Sequence, residues 1–205
     1  KDQYPSLKKL VTENTDPLLM AAKLAIIGNV IDFGTMNRIS VSDMVENISH
    51  KPFDDSGYTH FKDQIASAKT IVYLADNTGE IFFDRLLLEQ LYDEDRSITY
   101  VVKQYPIIND ATKADALFAE IDTYADIIAG DKDAAYSAPG LVPANISEEL
   151  HKLLGDADLV ISKGQGNYES LSEFDREIFF LLMVKCPLVA KNIGIDVGTM
   201  VLKVK

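Results

Sequence analysis

The chain has 205 residues, 47% of them hydrophobic and 25% charged, with a formal net charge of -12. That is the composition of an ordinary globular protein with enough chain to bury a sizeable core. Nucleic-acid backbones and anionic lipid surfaces repel so acidic a molecule, and no apolar run approaches the ~20 residues of a membrane span. A small anionic substrate stays admissible, because one lysine or one metal ion inverts the field locally. The single cysteine, Cys186, lies in the apolar run FFLLMVKCPLVA and reads as a buried thiol of a reduced, cytoplasmic protein. The opening KDQYPSLKKL has neither an initiator Met nor a signal-peptide apolar segment, so the chain reads as trimmed.

Residues 1–68 read as a helical subdomain. DPLLMAAKLAIIGNVIDFG opens with Asp16 as N-cap and Pro17 at the first helical position, and Gly34 suits the stop. Its apolar residues surround the helix, which predicts burial on most faces. SVSDMVENISH and YTHFKDQIASAK follow as amphipathic helices around the turn-rich KPFDDSG. From residue 69 strands and helices alternate. TIVYLAD, SITYVVKQ, ADIIAG, DADLVISKG, FFLLMVK and GTMVLKVK read as strands; EIFFDRLLLEQLY, ATKADALFAEI and NISEELHKLL read as helices between them. Unalternated apolar strands separated by helices predict an α/β core over 69–205, a mostly parallel sheet covered on both faces.

Chemistry in such a sheet collects beyond the carboxyl ends of the strands. That rule selects ADNTGE (75–80), QYPIIND (104–110), AGDKD (129–133) and SKGQGNYE (162–169). Asp76 and Asn77 present oxygen atoms at one spot, as a hard divalent cation requires, although either could simply cap the next helix. Asp110 has the same two readings. Were the first two strands adjacent, Asp76 and Asp110 would share one edge, where two carboxylates repel unless a cation joins them. In SKGQGNYE, Gly164 and Gly166 allow backbone N–H groups to approach an anion, and Lys163 could add positive charge. A tight turn explains the same glycines. Asn167 and Glu169 could orient a substrate or a water. Asn29 and Asp32, three apart on the most apolar helix, are either a buried structural network or a wall of the site. His50, His60 and His151 are scattered without zinc spacing, and no GxSxG, Walker A or GxGxxG pattern occurs.

The blocks AIIGNVIDFG, LADNTGEIFFDRLL, VKQYPIINDAT, DLVISKGQGNYESL and LLMVKCPLVAKNIG, in this order, resemble the damage-control phosphatases over most of residues 15–195. The KGQGNYE form is similar to the prokaryotic-type branch. The resemblance implies a Rossmann-like α/β core with a helical bundle on one side. It also implies hydrolysis of phosphate monoesters of small metabolites, supported by manganese, nickel, cobalt or magnesium. It carries the metal-holding Asp-Asn pair and later Asp onto Asp76, Asn77 and Asp110, the phosphate-side lysine onto Lys163, and the GN-x-x-D block onto Asn29 and Asp32. A further N-terminal helical segment, often with a CxxC pair, is usual in that family and is not in this sequence.

The expected mechanism is metal-assisted hydrolysis, with Lys163, Gly164 and Gly166 at the phosphate and either Glu80 or Glu169 positioning a water. The competing readings are a Rossmann-like methyltransferase using ADNTGE, which lacks the usual glycine-rich loop, and a non-catalytic protein that binds a metal or a phosphometabolite.

Overall fold

The structure is a computed structural model that describes residues 3–28, 46, 48, 50–134 and 138–205. Two helices come first, α1 (Tyr4–Thr12) and α2 (Pro17–Ile27). Asp16 caps α2 as expected: its carboxylate accepts the Leu19 N–H at 3.1 Å, and Pro17 sits where a missing N–H costs nothing. The all-apolar α2 buries Ala21, Ala22, Leu24, Ala25, Ile26 and Ile27. Gly34, Asn29, Asp32 and most of the expected helix at 40–50 lie outside the described residues. α3 (Tyr58–Ser67) forms where YTHFKDQIASAK is amphipathic.

Beyond it stands a seven-stranded sheet in the order β1-β7-β6-β5-β2-β3-β4. Its strands are β1 (Phe53–Asp54), β2 (Thr70–Leu74), β3 (Ser97–Val102), β4 (Asp126–Ala129), β5 (Leu159–Lys163), β6 (Phe179–Met183) and β7 (Met200–Val204). Strands β2 to β6 are mutually parallel, as their unalternated apolar runs require. β7 departs from the run and pairs antiparallel with β6. The chain turns back sharply there: Gly194 and Gly198 both take positive φ, and Val184 and Thr199 are joined by a backbone hydrogen bond of 3.0 Å. β1 is a two-residue strand inside the segment read as a turn, too short to carry any periodic pattern.

Alternate side chains of each strand enter opposite layers. Ile71, Tyr73, Tyr100, Ile161 and Leu181 join the cluster made with α1, α2 and α4 (Ile81–Leu91). Val72, Leu74, Val160, Phe180 and Leu182 face α6 (Glu148–Asp156), α7 (Gln165–Leu171) and α8 (Pro187–Ile193). α5 spans Lys113–Phe118. The helices of residues 1–68 therefore share a core with the sheet. Neither α7 nor α8 was expected, because each is only seven residues long and follows a strand directly. Cys186 is half-buried at the start of α8, where its sulfur accepts the Val189 N–H, so the expectation of a buried core thiol is corrected. Among the described residues no helix is long and apolar enough to cross a membrane.

The order of the strands locates the chemistry. From β2 the chain moves outward through β3 to β4, then returns across the sheet to place β5 on the other side of β2 and continues to β6. The topological switch point therefore lies between the carboxyl ends of β2 and β5, where loops diverge and leave a crevice. Asp76 follows one of these ends, and Lys163 with Gly164 forms the other.

Candidate metal and phosphate site

Adjacent strands β2 and β3, with Leu74 opposite Val101, bring their loops together. Asn77 and Asp110 form an antiparallel bridge, and the Ala111 N–H donates to the Asp76 carbonyl at 2.8 Å. The Thr78 N–H similarly donates to the Asn109 carbonyl at 2.8 Å. Asp76, Asn77 and Asp110 are thus held at one edge by backbone, as adjacency of the strands would require.

The helix-capping alternative fails for two of these residues. Asn77 precedes a 3-10 turn, Thr78–Glu80, without capping it. Its amide nitrogen donates instead to Asp76 Oδ2 at 3.0 Å and to Glu80 Oε1 at 2.7 Å. With the nitrogen committed to carboxylates, the amide oxygen is the atom of that group suited to a cation. Nor does Asp110 cap α5. Thr112 does so, in a capping box with Asp115.

Carboxylates crowd this crevice. Burial, then the Glu80 charge, pushes the Asp76 carboxyl up to about 8, with Lys163 and Lys185 pulling the other way and Asp110 adding to the rise. Burial also raises Asp110, against the pull of the Gly140 N–H and the Lys103 charge. Gly164 makes the packing feasible. At φ +81, a Cβ there would lie 1.9 Å from Asp76 Oδ2, so only glycine lets the end of β5 come this close.

Beneath these residues lies a buried ionic network. The Lys163 ammonium donates to Glu80 Oε2 at 2.8 Å and to Asp84 Oδ1 at 2.6 Å, and all three side chains are fully buried. Tyr73 and Tyr100 donate to the two Asp84 oxygens at 2.8 and 2.7 Å. Burying an ion pair is tolerable when geometry and added hydrogen bonds compensate for lost hydration, and here both carboxylates are multiply bonded.

Several expected phosphate contacts are therefore engaged elsewhere. Lys163 ends on two carboxylates beneath the loops. The Gly164 N–H donates to the Leu181 carbonyl at 3.0 Å. Gly166 belongs to the first turn of α7, not to a loop, and packs against the Gly140 backbone. Asn167 is fully buried; it accepts the Leu141 N–H and donates to the carbonyls of Ala75 and Lys163. Glu80 is paired with Lys163 and Asn77. Glu169 is exposed and bonded to Gln165, one turn back on α7. Asn29 and Asp32 lie outside the described residues.

Other residues here escaped the sequence reading. Asp84 stands four residues after Glu80, so both carboxylates meet the Lys163 ammonium; that i, i+4 spacing in an apolar helix was the available signal. Lys103 ends β3 much as Lys163 ends β5, and its ammonium donates to Asp131 Oδ1 at 3.1 Å and to the Gly140 carbonyl. Lys185, at the carboxyl end of β6, is exposed, and its backbone N–H donates to Gln165 Oε1 at 2.8 Å.

Among the described residues no three His, Cys, Asp or Glu side chains form a ready metal-binding group. The donor set here is two carboxylates with an amide. Oxygen donors of this kind suit hard divalent cations that keep positions for water and phosphate. By chemistry the residues fit such a cation.

Fold and site together define an α/β protein with an acidic, oxygen-rich crevice at the switch point of its sheet. The chain belongs to the damage-control phosphatase family, because the family model described as the damage-control phosphatase ARMT1-like domain matches residues 1–201. It is 36% identical over 203 residues to a damage-control phosphatase of Archaeoglobus fulgidus, covering 98% of this chain and 69% of that protein. A damage-control phosphatase of Pyrococcus horikoshii is 37% identical over 89% of this chain and 63% of its own length. An uncharacterized protein of Methanocaldococcus jannaschii is 42% identical over 86% of this chain. The chain spans 59% of that last relative's length. The crystal structure of a DUF89-family protein from Pyrococcus horikoshii superposes with a TM-score of 0.82 at 32% identity, covering 98% of this chain and 70% of that one.

Proposed function

We propose that this chain carries the catalytic core of a metal-dependent phosphatase that hydrolyses phosphate monoesters of small metabolites. The observation that carries this reading is the meeting of Asp76, Asn77 and Asp110 at the switch point, bound together through Asp76, Ala111, Asn77 and Asp110. The family's relatives named damage-control phosphatases support it. Their names say nothing of the substrate or of which metal serves, so manganese, nickel, cobalt and magnesium all stay in the proposal.

Asp76 and Asp110 offer carboxylate oxygens to the cation and Asn77 its amide oxygen. A divalent cation bound there would supply positive charge to a phosphoryl oxygen and lower the pKa of a water. Phosphoryl transfer asks the protein mainly to position groups and balance charge, and the remaining residues do that. Glu80 fixes Asn77 by accepting from its amide nitrogen. Lys163 offsets the charge of Glu80 and Asp84 from beneath, so its effect on the phosphate is through its field. On the exposed side, the charge of Lys185 reaches Asp76, and an exposed ammonium beside the crevice adds positive charge for the substrate phosphate. Gln165, bonded to both Glu169 and the Lys185 backbone, couples Glu169 to that side of the pocket.

The test is hydrolysis of an aryl phosphate by metal-stripped protein, then by the same protein resupplied with manganese, nickel, cobalt or magnesium. Metal-restored turnover that Asp76→Ala lowers by at least about 10²-fold is expected, the scale of a lost charge-stabilising group. Turnover that persists after Asp76→Ala has removed metal binding would refute the mechanism.

A further inference from the structure

We infer that Lys103, braced by Asp131, is a positioning residue that sets the Asp110 carboxylate for its cation by clamping the Gly140 peptide. The inference rests on the metal site proposed above and adds residues that touch neither cation nor phosphate. Lys103 is buried at the end of β3, and its ammonium reaches two acceptors, Asp131 Oδ1 at 3.1 Å and the Gly140 carbonyl. Asp131 follows β4, is itself buried, and accepts the Gln104 N–H through Oδ2 at 3.3 Å. The carboxylate is therefore oriented by the chain that carries the lysine.

The Gly140–Leu141 peptide is held from both ends. Lys103 takes its carbonyl, and Asn167 Oδ1 accepts its N–H at 2.7 Å. With that peptide pinned, the preceding N–H, that of Gly140, donates to Asp110 Oδ2 at 3.2 Å. Glycine is required at this position. Its φ is +76, and a Cβ would lie 2.6 Å from the Gly166 carbonyl carbon and 2.8 Å from the Asn167 nitrogen. The Gly140 peptide thus joins Lys103 to α7, and the N–H before it bonds a proposed ligand. A carboxylate with one oxygen held by a backbone N–H has its other oxygen directed, which is how groups behind a ligand tune affinity.

A buried ammonium has three donors to satisfy, so Asp131 alone would not serve Lys103. The second acceptor is a carbonyl inside the segment that touches Asp110, and that choice ties the lysine to the proposed ligand. Sequence offered no route to it, since Lys103, Asp131 and Gly140 come from separate loops.

The experiment measures manganese binding by titration calorimetry and aryl phosphate turnover in parallel, for the wild type, Asp76→Ala, Lys103→Met, Lys103→Met/Asp131→Asn and Lys103→Arg. The double variant avoids leaving a buried charge unpaired and serves if the single variant does not fold. Lys103→Met or the double variant is expected to weaken manganese binding about 10- to 100-fold, the range for groups behind metal ligands. Turnover at saturating manganese should stay within a few-fold of wild type, and Lys103→Arg should restore most of the affinity. Unchanged manganese affinity in a folded Lys103 variant overturns the clamp while leaving the metal site standing. Wild-type protein that binds none of manganese, nickel, cobalt and magnesium, or whose binding survives Asp76→Ala, overturns the site reading and the clamp with it.

Discussion

Gly164 combines two demands that are usually separate, a left-handed backbone and a missing side chain. Its φ is +81, and the space its Cβ would fill is taken by the Asp76 carboxylate. Gly194 supplies the control, since its φ is +84 but nothing stands within 4 Å of its would-be Cβ. Both Gly→Ala changes should cost about 1–3 kcal/mol of stability in urea unfolding from backbone strain. Gly164→Ala should in addition lower manganese affinity at least about tenfold, the size of effect seen when the support of a ligand is lost. Gly194→Ala should leave it unchanged. Equal metal affinity in the two variants would mean that Asp76 does not need the close approach of β5.

β2 and β5, the strands that flank the crevice, are tied at their far ends by Asp158. Its Oδ2 accepts the N–H groups of Lys69 and Thr70 at 2.8 Å each and the Thr70 hydroxyl at 2.9 Å. The backbone bond from Lys69, followed by those from Thr70, holds its carboxyl below the usual carboxylate range. A carboxyl lowered in the folded state stabilises the protein above its unfolded pKa of about 3.9 and loses that contribution as pH falls through the folded value. The melting temperature of the wild type should therefore fall on acidification below about pH 4 more steeply than that of Asp158→Asn. At neutral pH the variant should melt lower. Parallel acid limbs in thermal scans from pH 2 to 7 would dismiss the contribution.

Across the molecule as a whole, a net charge of -12 disfavours the approach of an anionic phosphate ester. Lys163 and Lys103 cannot bond a substrate phosphate directly, because both ammonium groups are buried on internal partners. A cation bound at the proposed site would reverse the sign locally, and the charge of the exposed Lys185, which reaches Asp76, acts in the same sense. Lys185→Met should raise KM for an aryl phosphate roughly tenfold to a hundredfold, the worth of a charge-assisted hydrogen bond, with kcat at saturation nearly kept. The penalty should narrow as monovalent salt rises from about 10 to about 150 mM and shortens the screening length. A loss of kcat with unchanged KM would place Lys185 outside phosphate binding.

Much of this molecule was legible in its residues. Apolar runs of strand length, an Asp-Pro helix start and polar residues just after strands determined an α/β sheet and the loops that hold Asp76, Asn77 and Asp110. Those features are local, so a linear reading suffices for them. The family's ordered motifs carried the site further than spacing alone, because Asp76 and Asp110 converge only if β2 and β3 are neighbours. What the ionisable side chains do at that edge was decided by tertiary structure. Lys163 ends on Glu80 and Asp84 rather than among the loops, because the start of α4 packs its i, i+4 carboxylates under the end of β5. Asn167 and Gly166 serve the Gly140 segment instead of a phosphate, since α7 starts immediately after Gly164. Lys103, Asp131 and Gly140 meet from separate loops, and no spacing along the chain encodes which acceptor a buried ammonium reaches. Strand and helix propensities act over neighbouring residues, whereas the partner of a buried charge is fixed by whichever oxygen atoms the packed layers bring within hydrogen-bond distance.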